Sequence, residues 1–285
     1  MTDFQLGFGF GVSLGLGLAA LMIAIAPKRY VAMLDRATFK YMWLRLASRT
    51  ALMRLFGRGP SALERDAAAL LRARVDSAIA RREDARLTTE ARAMGIGIAG
   101  LCALGAVWPH ALVAAASLAV LAIAIFVLRL EGRTPDGASR RAALLRPRPA
   151  FDPALGIAIG VAAVLVAGAL GLAAADNALE GRVELAIGGA FGIVILGLAL
   201  RLARRPAAIS ADDVAIDAYV DEQLRITRVA YLLFLSLCPI LFALLDAVRM
   251  GADGTILRLT YEAGFAVVLL AWFSAGLRGP RAAGV

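Results

Sequence analysis

The feature that most constrains this chain is a series of long apolar stretches, each bounded by charged or turn-forming residues. A helix that crosses a bilayer core of about 30 Å needs about 20 mostly apolar residues. Seven stretches have about this length: 4–26, 92–108, 110–130, 154–175, 183–203, 228–247 and 259–277. With 60% hydrophobic and 19% charged residues, the chain is too apolar for a soluble globular protein. The sequence therefore predicts an all-α, polytopic transmembrane helix bundle with seven spans.

The second and third stretches are nearly continuous in hydropathy but too long for one crossing. Residues 94–130 would form a helix of about 55 Å at about 1.5 Å per residue. Trp108-Pro109-His110 interrupts them, and proline disfavours the interior of a helix. We therefore predict two helices joined by a tight turn, so that residues 92–285 form a six-helix transmembrane domain of three hairpins.

The distribution of cations predicts the orientation of these spans. All but three of the 31 Lys and Arg residues lie on one side of the predicted membrane, and the exceptions are Arg182, Arg249 and Arg258. Because the cation-rich side faces the cytoplasm, we expect the N-terminus outside and the C-terminus inside a plasma membrane or a bacterial inner membrane. This topology explains the net charge of +9, so no nucleic-acid partner is expected.

The first stretch is expected to remain as a transmembrane anchor, residues 1–26, and not to be cleaved as a signal peptide. No cation precedes its apolar run, whereas Lys28 and Arg29 follow it, and Pro27 stands at the only small-residue cleavage point.

Residues 27–91 are predicted to form a basic amphipathic helical insertion on the cytoplasmic side. Residues 30–56 combine aromatic and leucine side chains with cations, which is typical of a helix lying on anionic membrane lipids. Ser61-Ala62-Leu63-Glu64 then supplies a capping box for a second helix. Its apolar stripe either packs on the protein itself or docks on a partner helix.

Small residues recur every fourth position along two sides of the first span. One ridge contains Gly7, Gly11 and Gly15, and the other contains Gly9, Ser13 and Gly17. Such spacing lets helices approach closely in lipid, so we expect this helix to lie between neighbours within the protomer or between protomers. Two weaker repeats are Gly156 with Gly160 and Gly188 with Gly192. Ordinary packing within the chain is the alternative interpretation.

Three ionisable residues lie near the outer start of the return helices of the hairpins: His110, Glu184 and Glu262. If the hairpins are related by pseudo-symmetry, these side chains line an outward-facing vestibule. The alternative is that they are polar anchors at the level of the lipid headgroups, where the helix dipole favours carboxylates at N-termini.

The sixth span contains Pro239, which removes one helical hydrogen bond, frees the carbonyl of Leu235 and is predicted to kink the helix. Transporters build substrate sites at interrupted helices of this kind. Neighbouring helices also satisfy the freed groups in many membrane helices without any such function, and that remains the alternative. The two cysteines, Cys102 and Cys238, are expected to be small apolar fillers.

A cytoplasmic acidic helix is predicted near residues 210–222. It carries Asp213, Asp217 and Asp221 at intervals of four, so that three carboxylates share one face. Membrane prenyltransferases hold Mg²⁺ and a diphosphate on a similar aspartate-rich helix, but the second aspartate-rich segment of those enzymes is absent here. A solvated face, paired with the arginine-rich helix at 61–93, is the alternative.

The sequence lacks HExxH, GxSxG, Walker A and EF-hand motifs, and it has one histidine, so we expect no catalytic centre, cofactor or metal site. No ionisable residue lies near the centre of a predicted span, which disfavours ion-coupled transport. The prediction is a non-catalytic integral membrane subunit of a larger transport, secretion or assembly complex, with other membrane subunits or further copies of itself as partners. The alternatives are a transporter or channel for a small neutral or lipidic solute, and a lipid-modifying enzyme that uses the three aspartates.

Overall fold

The computed structural model describes residues 3–57, 59, 62–77, 85–131, 153–175, 181–204, 214–244 and 251–277, and all regular secondary structure in these ranges is helical. The helices are α1 (Asp3–Ile25), α2 (Pro27–Leu55), α3 (Ala62–Ser77), α4 (Ala85–Gly105), α5 (Pro109–Glu131), α6 (Pro153–Ala175), α7 (Arg182–Ala203), α8 (Val214–Leu244) and α9 (Gly251–Leu277).

Four segments of these helices are long and apolar enough to cross a membrane: His110–Leu128, Pro153–Ala175, Arg182–Ala203 and Glu222–Leu244. A fifth candidate is the bent pair formed by Ser13–Ile25 and Pro27–Leu34. The prediction of an all-helical protein with several membrane-crossing helices is confirmed at this level. Helix α4 contains most of the predicted second span and α9 contains the predicted seventh, but the count of seven and the orientation stay predictions.

The chain turns through 102° between α1 and α2. Pro27 occupies the first turn of α2, where its missing amide costs no helical hydrogen bond. Because of this turn, α2 does not extend α1 but packs across the end of the bundle where α4 begins and α5 ends. Val31 is buried there with Leu87, and the ring of Tyr30 meets the ring of Phe126 edge-on at 6.0 Å.

The main hydrophobic core is shared by α5, α6, α7, α8 and α9. Helix α8 lies at its centre, with the side chains of Leu232, Leu233, Leu237 and Ile240 fully buried. Helix α6 packs one side into the core and exposes large apolar residues such as Ile157 and Val164 on the other. This two-sided pattern is expected where one side of a helix faces lipid.

A second, smaller core joins α1 and α4 to α5. It contains Ala20, Ile98, Cys102 and Ala115. The described helices therefore form a five-helix core, with α1 and α4 packed on its side through α5 and with α2 and α3 across one end.

The described parts of the predicted acidic helix and of the predicted sixth span belong to one continuous helix, α8. Residues 221–227, which link the two, are mainly good helix formers, and they include neither glycine nor proline. Hydropathy marks only the apolar part of such a helix, which explains the different boundaries.

Candidate functional site

One of the two small-residue ridges of α1 packs against α4. Ser13 is buried, and its hydroxyl donates a hydrogen bond of 2.9 Å to the carbonyl oxygen of Cys102. A Cβ added at Gly17 would lie 3.4 Å from the Cβ of the same cysteine. Further along, a Cβ at Gly95 of α4 would lie 2.7 Å from the carbonyl oxygen of Ala20. Within the chain, this side of α1 therefore lies close to α4.

The other ridge of α1 is open. Gly11 and Gly15 are exposed, and no atom lies within 4 Å of a Cβ added at either position. Leu18 and Met22 continue the same side of the helix, and they are 55% and 65% exposed. Gly7 and Gly9 lie on the backbone of α1, but their surroundings are outside the described part of the chain. Among the described residues, α1 thus has a neighbour on one side only.

The weaker repeats have different surroundings. On α7, a Cβ at Gly188 would lie 2.8 Å from the carbonyl oxygen of Pro239, and one at Gly192 would lie 2.7 Å from that of Ser236. On α6, Gly156 and Gly160 are exposed, with nothing within 4 Å of an added Cβ. Gly188 and Gly192 therefore allow α7 to cross close to α8, whereas Gly156 and Gly160 face outward.

Pro239 lies inside α8, which continues as a helix on both sides of it. The Gly188 contact just described packs the proline's carbonyl group against the backbone of α7. The hydroxyl of Ser236 donates to the carbonyl of Leu233 at 2.7 Å. The backbone around the proline is therefore covered by a neighbouring helix, and a kink and a transport role stay predictions.

Two of the three predicted vestibule residues lie together. Nδ1 of His110, at the start of α5, lies 2.8 Å from Oε1 of Glu184, in the first turn of α7. The carboxylate side chain is 9% exposed and the imidazole 32%. The indole of Trp108 packs edge-on against the imidazole at 5.6 Å between ring centres. This contact joins the ends of two core helices.

The third vestibule residue has a different partner. Glu262 accepts a hydrogen bond of 2.8 Å from Arg258, one turn earlier on α9, and both side chains are nearly half exposed. The described side chains thus give a buried pair between α5 and α7 and an exposed pair on α9. Whether they line a vestibule stays a prediction.

The predicted aspartates fall at the start of α8. Asp213 lies outside the described residues, whereas Asp217 and Asp221 lie on the helix backbone, one turn apart, with side chains outside the described part. The next acid along α8, Glu222, forms an ion pair with Arg225. Within the described residues, no group of three or more His, Cys, Asp or Glu side chains is placed to hold a metal ion.

The cysteines are free thiols in separate cores. Cys102 is buried between α1 and α4, and Cys238 packs on the main core from α8.

A buried ion pair between α2 and α3 is the main feature that sequence reasoning missed. Nη2 of Arg49 lies 2.9 Å from Oε1 of Glu64, and the two side chains are only 5% and 7% exposed. From the sequence, Glu64 is expected only to be a capping-box residue. Its position one turn before Ala67 on the apolar stripe indicates the ion pair, because a carboxylate on such a stripe needs a cationic partner. In the structure Ala67 is fully buried. The described part of α3 therefore packs on this protein's own α2.

Glu64 of this ion pair also lines a groove between α2 and α3. This α2–α3 groove has a volume of about 290 Å³. Its walls include Trp43, Leu46, Ala47 and Arg54 of α2 and Ala68 of α3.

Comparisons with protein-family models, curated proteins and solved structures gave no match to this chain.

Proposed function

We propose that the protein is a non-catalytic membrane subunit of a larger transport, secretion or assembly complex, in which the open side of α1 contacts another subunit. In this proposal seven spans cross a cytoplasmic membrane, with the N-terminus outside and the C-terminus inside. The cation distribution supports this orientation, because the cation-rich segments, including α2, all fall on one side.

The observation that carries the proposal is the unequal use of the two ridges of α1. Glycine in a helix interior costs about 1 kcal/mol relative to alanine, so a helix that only faces lipid gains nothing from it. On the side of Ser13 and Gly17 the small residues permit contact with α4. On the side of Gly11 and Gly15 the same spacing faces open space. A helix of another polypeptide would pack closely on the side of Gly11 and Gly15, as α4 packs on the side of Ser13 and Gly17.

The test is the composition of the particle extracted from its native membrane. The tagged protein is released with a polymer that keeps the surrounding lipids and is weighed by native mass spectrometry. We expect a defined complex with other polypeptides, and we expect the double variant Gly11→Leu with Gly15→Leu to lose them. The matched control is Gly197→Leu on α7, which is also exposed and has nothing within 4 Å.

Two outcomes would contradict the proposal. Detection of a lone chain, or of a homo-oligomer with no other polypeptide, would show that the protein is not a subunit of a larger complex. Equal loss of partners in the double variant and in Gly197→Leu would show that the open side of α1 is not the contact.

A further inference from the structure

The α2–α3 groove follows one stripe of α2. Trp43, Leu46, Ala47 and Arg54 line it, and the first and last of these are eleven residues apart. At about 1.5 Å per residue the stripe is about 16 Å long. The groove therefore has an aromatic end, an apolar middle and a cationic end.

The polar groups in the middle of this groove are already satisfied. The hydroxyl of Thr50 donates a hydrogen bond of 2.9 Å to the carbonyl oxygen of Leu46. The carboxylate of Glu64 is neutralised by Arg49 at 2.9 Å. The charge that remains for a ligand in this groove is the guanidinium of Arg54, which is an exposed residue. A ligand that matches both this cation and the apolar walls is an anion with an apolar part.

The surroundings of the groove indicate where such a ligand comes from. After the 102° turn, α2 lies across the end of the bundle, as a helix at a membrane surface does. Close to the groove, Leu44, Leu55 and Phe56 are exposed by 54%, 82% and 75%. Lys40, on the same helix, is also exposed. An exposed apolar and cationic surface of this kind lies at the level of anionic lipid headgroups.

We propose that the α2–α3 groove is a binding site for one anionic phospholipid. The phosphate group contacts Arg54, and the glycerol and the upper part of an acyl chain lie along Leu46 and Ala47 against the indole of Trp43. The site goes beyond the proposed function, since it holds whether or not another subunit contacts α1.

The test uses the full-length protein, delipidated and returned to nanodiscs of phosphatidylcholine with increasing phosphatidylglycerol. Native mass spectrometry of the ejected protein counts the lipids that stay bound. We expect one phosphatidylglycerol per chain and none of the zwitterionic lipid. Arg54→Gln is expected to weaken this binding about fivefold or more, because a cation at a membrane surface contributes about that factor.

The matched control is Lys40→Gln, which removes an exposed cation of the same helix that does not line the groove. It should leave the single bound lipid in place. Ala51→Phe fills the apolar part of the groove without changing its charge and should also displace the lipid. Retained helical content and a monodisperse particle identify variants that have folded.

Four results would overturn the proposal. Equal weakening by Arg54→Gln and Lys40→Gln would mean a diffuse electrostatic attraction without a site. Equal retention of phosphatidylcholine would mean that the groove does not select for charge. Displacement of the lipid by millimolar inorganic phosphate would mean that only the anion is bound. Binding of another polypeptide in the groove would identify a protein interface.

Discussion

The crossing of α7 over α8 predicts that Gly188→Ala destabilises the protein although alanine is the better helix former. The added Cβ would lie 2.8 Å from the carbonyl oxygen of Pro239, 3.0 Å from its carbonyl carbon and 3.1 Å from the Cα of Ile240. All three are backbone atoms, so no rotamer change relieves the contact. Since a comfortable carbon-to-oxygen distance is about 3.4 Å, the two helices must separate by about 0.6 Å.

Overpacking of this kind costs about 1–3 kcal/mol. The replacement of glycine by alanine also gains about 1 kcal/mol of helix propensity, which would obscure the cost in a single variant. Gly197→Ala removes this ambiguity, because Gly197 lies on the same helix, is exposed, and has nothing within 4 Å of an added Cβ. Because the gain in helix propensity is common to both variants, the difference between their free energies of unfolding measures the cost of the contact with α8.

We therefore expect Gly188→Ala to unfold with a free energy about 1–3 kcal/mol lower than that of Gly197→Ala. The measurement is reversible unfolding in mixed micelles by titration with sodium dodecyl sulfate, followed by helical circular dichroism and by tryptophan fluorescence. Equal unfolding midpoints for the two variants would refute the close crossing of α7 and α8.

Two further predictions compare matched variants, the first in the same unfolding assay and the second by labelling of a thiol. Glu184→Gln should lower the free energy of unfolding by more than Glu262→Gln does, because the carboxylate of Glu184 is buried against a histidine. Glu262 lies in an exposed pair, so its replacement should change the free energy of unfolding by less than about 1 kcal/mol. Similar effects would contradict the different burial of the two carboxylates. Gly95→Ala should separate α1 from α4 and so speed maleimide labelling of the buried Cys102. Gly97→Ala should leave the labelling rate unchanged, because no atom lies within 4 Å of a Cβ added there. Unchanged labelling in both variants would contradict the close approach of α1 and α4 at Gly95.

Hydropathy alone predicts most of the helices in this protein. The predicted spans 154–175 and 183–203 coincide within one residue with α6, Pro153–Ala175, and α7, Arg182–Ala203. Such agreement has a physical cause, since an unpaired backbone polar group costs several kcal/mol in lipid and an apolar stretch of this length is therefore helical. Helices α2 and α8 are harder to delimit, because their ends carry charged residues that are also good helix formers.

The contacts between helices are much less predictable than the helices. The sequence spacing treats Gly156 with Gly160 and Gly188 with Gly192 alike, yet only the second pair meets another backbone. Spacing along one helix shows which side permits close approach, but the choice of neighbour depends on the packing of all the others. Gly95 was missed for the same reason, since its small partners, Ala20 and Ala24, lie on α1.

The ionisable residues illustrate the same limit. By sequence Glu184 and Glu262 are equivalent, as carboxylates near the outer start of return helices. The structure separates them because α5 places His110 against the first and Arg258 lies one turn from the second. The pairing of Arg49 with Glu64 was similarly hidden, because the two residues belong to different helices, α2 and α3.

The small core around α1 bears on how this helix is held in the membrane. Hydrophobic burial does not drive helices together in lipid, so the attachment of α1 to α4 depends on close van der Waals contact and on hydrogen bonds. The described contacts include one buried hydrogen bond, from Ser13, and a close approach at Gly95. Both lie on one side of α1. A second helix on the side of Gly11 and Gly15 would make α1 a shared element of two bundles. The open side of α1 is thus located where the proposed complex needs an additional contact.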